Sequence, residues 1–228
     1  MKKMYFLLLA SVAVLFSACM SPIKVDETVE PMDVEGSSEI PDMEFIGFKA
    51  DANMLGVNNY QYWQSMKKST GMRNLGSKLQ VAGIAVDESY GYFGIYSFQE
   101  LEVYKNKKRY ITFVEISDYS LTYSTDDGAA WRIFCAATLV CFPLAFTNFH
   151  TYTHSKLTAN IYVYDTKTRS ITYKDAVVID EKNKWSGLWE RTSDVERDEL
   201  FDYYGTKASN QILERYMKVK EMLRSQNR

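Results

Sequence analysis

Three consecutive stretches decide the fold: Leu157-Thr-Ala-Asn-Ile-Tyr-Val-Tyr164, Asp165-Thr-Lys-Thr-Arg169 and Ile171-Thr-Tyr-Lys-Asp-Ala-Val-Val-Ile179. In the first, Leu157, Ala159, Ile161 and Val163 alternate with Thr158, Asn160 and Tyr162, the period of a strand buried on one side. The second is polar and made of turn formers, and the third is again rich in β-branched residues. Together they read as a β-hairpin. Upstream, Arg109-Tyr-Ile-Thr-Phe-Val-Glu-Ile-Ser-Asp-Tyr-Ser-Leu-Thr-Tyr123 reads as a long strand, closed by the turn signal Asp126-Asp-Gly128. Downstream, Ser193-Asp-Val-Glu196 fits a capping box, a hydroxyl cap with a glutamate three residues on. It opens a helix with the apolar stripe Leu200, Tyr204, Ala208, Ile212, Tyr216, Val219 and Leu223. Gly205 is a tolerated weak point in that helix. Lys218, Lys220 and Arg224 gather at its end, where they suit the negative end of the helix dipole. The class is α+β: a mainly antiparallel sheet with helices packed on one face and a long C-terminal helix.

The first half of the globular part, from residue 43, is less periodic. Glu44-Phe-Ile-Gly-Phe48 reads as a short strand, and Tyr60, Trp63 and Met66, spaced by three, suggest a helix over 58–68. Lys78-Leu-Gln-Val-Ala-Gly-Ile-Ala-Val86 is a strand candidate, and 98–107 suits helix or strand. The 17 tyrosines favour a sheet, where a half-buried ring with a polar tip fits well.

The N-terminus carries an address. Lys2 and Lys3 precede the apolar run Tyr5-Phe-Leu-Leu-Leu-Ala-Ser-Val-Ala-Val-Leu-Phe16, which stops at Ser17-Ala18-Cys19. A charged start, an apolar middle and small residues at the end make a secretory signal over 1–18. With a cysteine directly after, it resembles the lipobox of bacterial lipoproteins, although Phe16 stands where leucine is commonest. The resemblance implies cleavage before Cys19 and a diacylglycerol on its thiol. The alternatives are an ordinary secretory signal with an incidental cysteine, or an uncleaved anchor. Residues 20–42 are acidic, hold three of the four prolines and contain no aromatic. Such a stretch buries too little to offset its ordering entropy, so 19–42 reads as a lipidated cysteine followed by a disordered tether. A single globular domain is expected over 43–228.

One more segment is strongly apolar. From Ala129 to Phe146 the only charge is Arg132. A membrane helix needs about 20 such residues, so length permits a span. Asp126 and Asp127 on one flank, and Lys156, Lys167 and Arg169 on the other, have the signs a second crossing would want. Against it stand Pro143, the polar Thr147, Asn148 and His150, and the separation of the long strand from its hairpin. Segment 129–149 therefore reads as a buried or membrane-surface element, with a span over about 131–149 as the alternative.

Composition narrows the chemistry. Without Lys2 and Lys3 the 27 basic residues become 25 against 29 acidic ones, a formal charge of −4, so nucleic acid meets no basic footprint. Cys135 and Cys141, six apart, point about 240° apart on a helix and cannot bond there, which leaves them as small buried hydrophobes. His150 and His154 share a face on a helix but stand about 13 Å apart on a strand, and Tyr152, Thr151 and Thr153 favour strand. Metal ligation is not expected. There is no Gly-x-Ser-x-Gly, Ser-x-x-Lys or phosphate-loop pattern, and Asp118, Asp126 and Asp127 read as strand-end and turn residues. Trp185 and Trp189 suit either a sugar platform or the cover of a sheet edge, the latter being the commoner use of such rings.

The order of a long strand, an insert, a hairpin around Asp165 and a long helix, with Val163-Tyr164-Asp165 leading into the turn, resembles the periplasmic domain of curli-secretion and related envelope lipoproteins. That resemblance covers about 109–225 and implies a scaffold or assembly part of the cell envelope; the apolar insert keeps a pore from being implied with it. The expectation is a non-enzymatic interaction or assembly lipoprotein, with no cofactor, attached to membrane lipid through Cys19 and facing an envelope protein partner. Outer-membrane attachment is favoured, with the domain in the periplasm or at the cell surface. The alternatives are an inner-membrane protein and a carbohydrate-binding surface module.

Overall fold

A computed structural model describes residues 25, 27–34, 42–50, 65–87, 101, 108–125, 150–186 and 194–226. In chain order their elements are strand β1 (Met43–Ala50), helix α1 (Thr70–Val81), and strands β2 (Ala85–Val86), β3 (Tyr110–Thr125), β4 (His150–Asp165) and β5 (Ser170–Ser186). Helix α2 (Asp194–Gln226) follows. The chain divides into two compact units, one of Met1–Glu27, Thr122–His154 and Glu181–Leu200, the other of Thr28–Leu121, Ser155–Asp180 and Phe201–Arg228.

The strands form one sheet in the order β2-β1-β3-β4-β5. β1 runs parallel to both β2 and β3. Side chains bridge β3 to β4 as Glu115 to Tyr162, Ser117 to Asn160 and Thr122 to His154, one number rising as the other falls, so this pair is antiparallel. β4 and β5 are the expected hairpin. The sheet is thus mixed, antiparallel at the β5 end and parallel around β1. The α+β class stands, with the long C-terminal helix.

The hairpin turn is fixed by its own side chains. Asp165 is buried, and its Oδ1 accepts from the backbone N–H of Lys167 at 2.8 Å and of Thr168 at 3.3 Å, an Asx turn. Arg169 takes the left-handed conformation, φ 56°, that lets β5 start back. Thr166 ties the turn to β3, donating both N–H (2.9 Å) and hydroxyl (3.0 Å) to the Arg109 carbonyl.

One core lies in the second unit. Met72, Leu75 and Leu79 of α1 and Ala208, Ile212, Tyr216, Val219 and Leu223 of α2 meet Phe45, Phe48, Val114, Ile116, Leu157, Ala159, Ile161, Val163, Val177 and Ile179. These are the hydrophobic sides of β1, β3, β4 and β5, so both helices lie on one face. A smaller cluster on the other face joins Ile46, Leu101, Ile111, Phe113 and Tyr164. Phe45 and Phe48, three apart, reach the same face because the β1 register slips between them at Gly47, whose φ of 120° suits only glycine. The stripe read for α2 is buried throughout, from Leu200 at 0% to Leu223 at 1% exposure.

The strand expected over 78–86 is a helix for its first half. α1 begins at Ser69, whose hydroxyl accepts from the N–H of Met72 at 3.3 Å, and Met72, Leu75 and Leu79 form its buried stripe. It ends in a Schellman turn: Ile84 N–H reaches the Leu79 carbonyl, Gly83 N–H the Gln80 carbonyl, and Gly83 has φ 77°. Only Ala85 and Val86 are extended. Met66 and its neighbours 65–67 are helical, as expected, whereas 51–64, 88–100, 102–107 and the apolar segment 129–149 lie outside the described residues.

α2 caps α1 from the side. Asp202 Oδ1 accepts from Thr70 N–H at 2.5 Å and Thr206 Oγ1 from Gly71 N–H at 3.1 Å, so with Ser69 the first three amides of α1 all have partners. At the other end, the Lys220 ammonium, 1% exposed, donates to the Ala82 carbonyl. α1 and α2 therefore run in the same direction. A carboxylate meets the positive end of the α1 dipole and an ammonium the negative end. Lys220, which the sequence places at the end of its own helix, serves the end of its neighbour instead.

Part of the stretch read as a disordered tether is held. The Asn210 amide accepts from Met32 N–H at 2.7 Å and donates to the Glu30 carbonyl at 2.8 Å, the Lys78 ammonium donates to the Met32 carbonyl, and Met32 and Val34 pack against the core. Two apolar side chains bury enough here because the helices satisfy the segment's backbone.

Candidate functional site

Cys19, on which the lipid reading rests, lies outside the described residues, as do Cys135, Cys141, Asp126, Asp127 and Trp189. Trp185 is described and is no platform: it is 4% exposed, and its indole N–H donates to the Thr153 hydroxyl at 2.6 Å. Period two along β5 turns it inward, beneath β4, where a ring cannot stack on a sugar. His150 and His154 both lie on β4, four residues apart, so strand rise separates them by about 13 Å and they do not share an ion. Asp118 is exposed on β3, and no cluster of metal-ligating side chains occurs among the described residues.

What the first unit does offer is a shallow concavity of about 450 Å³ across the ends of β3, β4 and β5. Thr122 and Ser124 bring hydroxyls to it, His154 an imidazole, and Lys182 and Lys184 ammonium groups; Tyr152 is 42% exposed at its wall. The Lys184 ammonium stands 5.9 Å from the centre of the Tyr152 ring, a cation–π distance that keeps both groups at the rim. Such groups offer charge, hydrogen bonds and a ring face to whatever enters the concavity.

The sheet face opposite the helices, in the second unit, is a closed polar ladder. Glu115 accepts from the Tyr162 hydroxyl at 2.8 Å and pairs with Lys49 at 3.3 Å. Phe113 stacks on Tyr162 with centroids 5.0 Å apart, and Lys174 lies 5.1 Å from the same ring. Burial, helped by the bond to Glu115, pushes the Tyr162 hydroxyl above its ordinary pKa. Each member of the ladder has its partner within it, so its role is to join β1, β3, β4 and β5.

A second polar link joins the sheet to α2. Arg215 donates to Asp175 Oδ2 at 2.9 Å, and the Tyr173 hydroxyl donates to the same carboxylate at 2.9 Å. Burial pushes the Asp175 carboxyl up, but hydrogen bonds from Ala176 N–H and Tyr173, with the Arg215 charge, outweigh it and hold the carboxyl below its usual range.

Sequence reasoning missed the residues that fasten segment 30–34: Lys78, Asn210 and Met32. It also missed the polar row on α2 at Asp202, Thr206 and Ser209, spaced i, i+4 and i+7 with Gly205 among them, which meets the start of α1. Its regularity marks a second buried contact beside the apolar stripe, and Ser209 indeed donates to the Gly71 carbonyl at 2.9 Å.

No family model matches the sequence, and no curated protein matches it. Among solved structures the chain is similar to a neuraminyllactose-binding hemagglutinin homolog from Helicobacter pylori, at 10% identity over 82% of this chain and 97% of that one, TM-score 0.43. It is similar to a Xanthomonas campestris protein of the DUF330 family model, at 6% identity over 86% and 97%, TM-score 0.40. A minor lipoprotein of Acinetobacter baumannii is also similar, at 6% identity over 82% and 96%, TM-score 0.32. At such identities and scores, the likeness assigns this chain neither a fold family nor a role.

Proposed function

We propose that this chain is an envelope lipoprotein, held by lipid on Cys19 in the outer membrane, that works as a non-enzymatic interaction or assembly component. The observation that carries the reading is the Lys2-Lys3 start, the apolar run to Phe16 and the stop at Ser17-Ala18-Cys19. The groups around the first unit's concavity agree with a binding role, and the strand, hairpin and helix order agrees with the resemblance to curli-secretion lipoproteins. Burial of Trp185 removes one of the two rings on which a sugar-binding module would depend. No helix of the described residues is long and apolar enough to cross a membrane; the membrane alternative rests on segment 129–149, outside them.

Metabolic labelling with an alkyne fatty acid tests the anchor. The expected result is label on the wild-type chain and none on Cys19→Ser, with the variant leaving the membrane fraction. An unlabelled wild-type chain overturns the reading. An alkaline phosphatase fused after Arg228 tests the rest: activity is expected, and an inactive fusion at normal expression means that 129–149 crosses the bilayer.

A further inference from the structure

The concavity of the first unit collects one kind of chemistry. Alternation along three strands brings Thr122 and Ser124 of β3, Tyr152 and His154 of β4, and Lys182 and Lys184 of β5 to its lining. All six belong to the same compact unit. The side chains of Thr153 and Trp185 turn the other way, where they are buried and bonded to each other. No carboxylate lines the concavity, and neither lysine has an ion-pair partner among the described residues. Tyr152 steers the Lys184 ammonium, 5.9 Å from its ring centre, without neutralising it. Two uncompensated charges therefore stand on one wall. Their Cα atoms lie about 7 Å apart along the strand, and the flexible stems can close on one phosphate or carboxylate between them.

The hydroxyls add a second requirement. Thr122 directs its proton to the His154 carbonyl, at 3.5 Å, so toward a ligand its oxygen can only accept. An anionic oxygen has no proton to give it; a ligand hydroxyl has. The space, about 450 Å³, is that of a small-molecule site, for which about 300–1,000 Å³ is usual. We infer that this concavity binds a small hydroxylated anion, a sugar phosphate or sugar acid. Lys182 and Lys184 hold the anionic group, and Thr122 accepts from a hydroxyl. This deepens the binding role proposed above and rests on it, but needs no lipid on Cys19. Lysines also guard sheet edges, and β5 is the last strand of the sheet. Guarding an edge requires neither the concavity nor the hydroxyls that face the lysines across it.

Isothermal titration of the full-length chain in detergent tests this, with glucose 1-phosphate, glucuronate, glucose and inorganic phosphate as probes at low salt. The two hydroxylated anions should bind, glucose should not, and inorganic phosphate should bind about tenfold more weakly. Lys182→Ala with Lys184→Ala should weaken both anions at least about tenfold, with an unchanged unfolding midpoint. Thr122→Val should weaken glucose 1-phosphate and leave inorganic phosphate as it was. Nanodiscs with lipid A, against discs of phosphatidylethanolamine alone, separate two sources of the same chemistry. A lysine-dependent excess on lipid A means a lipid-borne sugar phosphate, and solution binding without that excess means a free one. Binding of neither hydroxylated anion, or binding that survives the double variant, overturns the site and returns both lysines to the edge of β5. Equal affinity for inorganic phosphate overturns the hydroxylated ligand and leaves an adventitious ion only. A chain labelled on Cys19 that binds no probe loses this site and keeps its anchor; an unlabelled chain that binds loses the anchor and keeps the site.

Discussion

Gly205 shows how a residue's meaning changes with its neighbours. As a helix residue it is a weak point, about 1 kcal/mol worse than alanine. In the structure a Cβ there would lie 2.1 Å from the Ser69 hydroxyl and 2.9 Å from the Met66 carbonyl, and one on Gly71 would lie 2.5 Å from the Thr206 Cα. The two glycines let the backbones meet closely enough for Thr206 and Ser209 to reach Gly71. Gly205→Ala and Gly71→Ala are each expected to cost about 1–3 kcal/mol, as overpacked sites do. Denaturant titration checks this, and an unchanged or raised midpoint would mean that the helices have room. Asp175 makes a second prediction. Its carboxyl is held below its unfolded value, so its contribution is full above that value and is lost as pH falls through the folded one. The chain should therefore lose stability below about pH 4, and Asp175→Asn should flatten the acid limb of its stability curve. An identical slope in the variant would remove Asp175 from the account.

At the scale of elements, the strands differ in what sets their register. β4 and β5 are set by their turn, where Asp165 is buried with two backbone N–H groups and, at 3.4 Å, the Arg109 guanidinium on its carboxylate. Asp165→Ala leaves those groups short of an acceptor and is expected to cost about 1–3 kcal/mol, read by thermal or denaturant unfolding. β1 is set by a bulge. Gly47→Ala must place a side chain at φ 120°, a conformation that costs of order 1–3 kcal/mol for other residues, and it threatens the shared facing of Phe45 and Phe48. A variant as stable as the parent would show that β1 can slip back into plain alternation. The β4 and β5 hairpin was legible because alternation and turn chemistry are local. The end of α1 reads as strand in the sequence, over 78–86, because Leu79, Val81, Ile84 and Val86 are apolar enough to suit either state. Its helix signals, Ser69 at the start and Gly83 at the stop, lie at its ends, and the acceptors that complete the first turn come from α2, more than 130 residues away.

For the whole molecule, the amino-acid sequence by itself determined the class, the hairpin, the long strand and the buried stripe of α2. Each of these is a period of two or of three and four repeated over enough residues to survive any context. It is also the whole basis of the proposed export signal, because charge, apolar length and a following cysteine are read along the chain. Tertiary structure decided that the sheet is mixed, since parallel pairing of β1 with β3 joins residues about 67 apart and leaves no local mark. It also turned Trp185 into the core and Lys220 onto the end of α1. Tertiary structure alone drew residues 30–34 onto the helices. Five residues without an aromatic bury too little to order themselves, and they settle only where Asn210 and Lys78 already stand ready to satisfy their backbone.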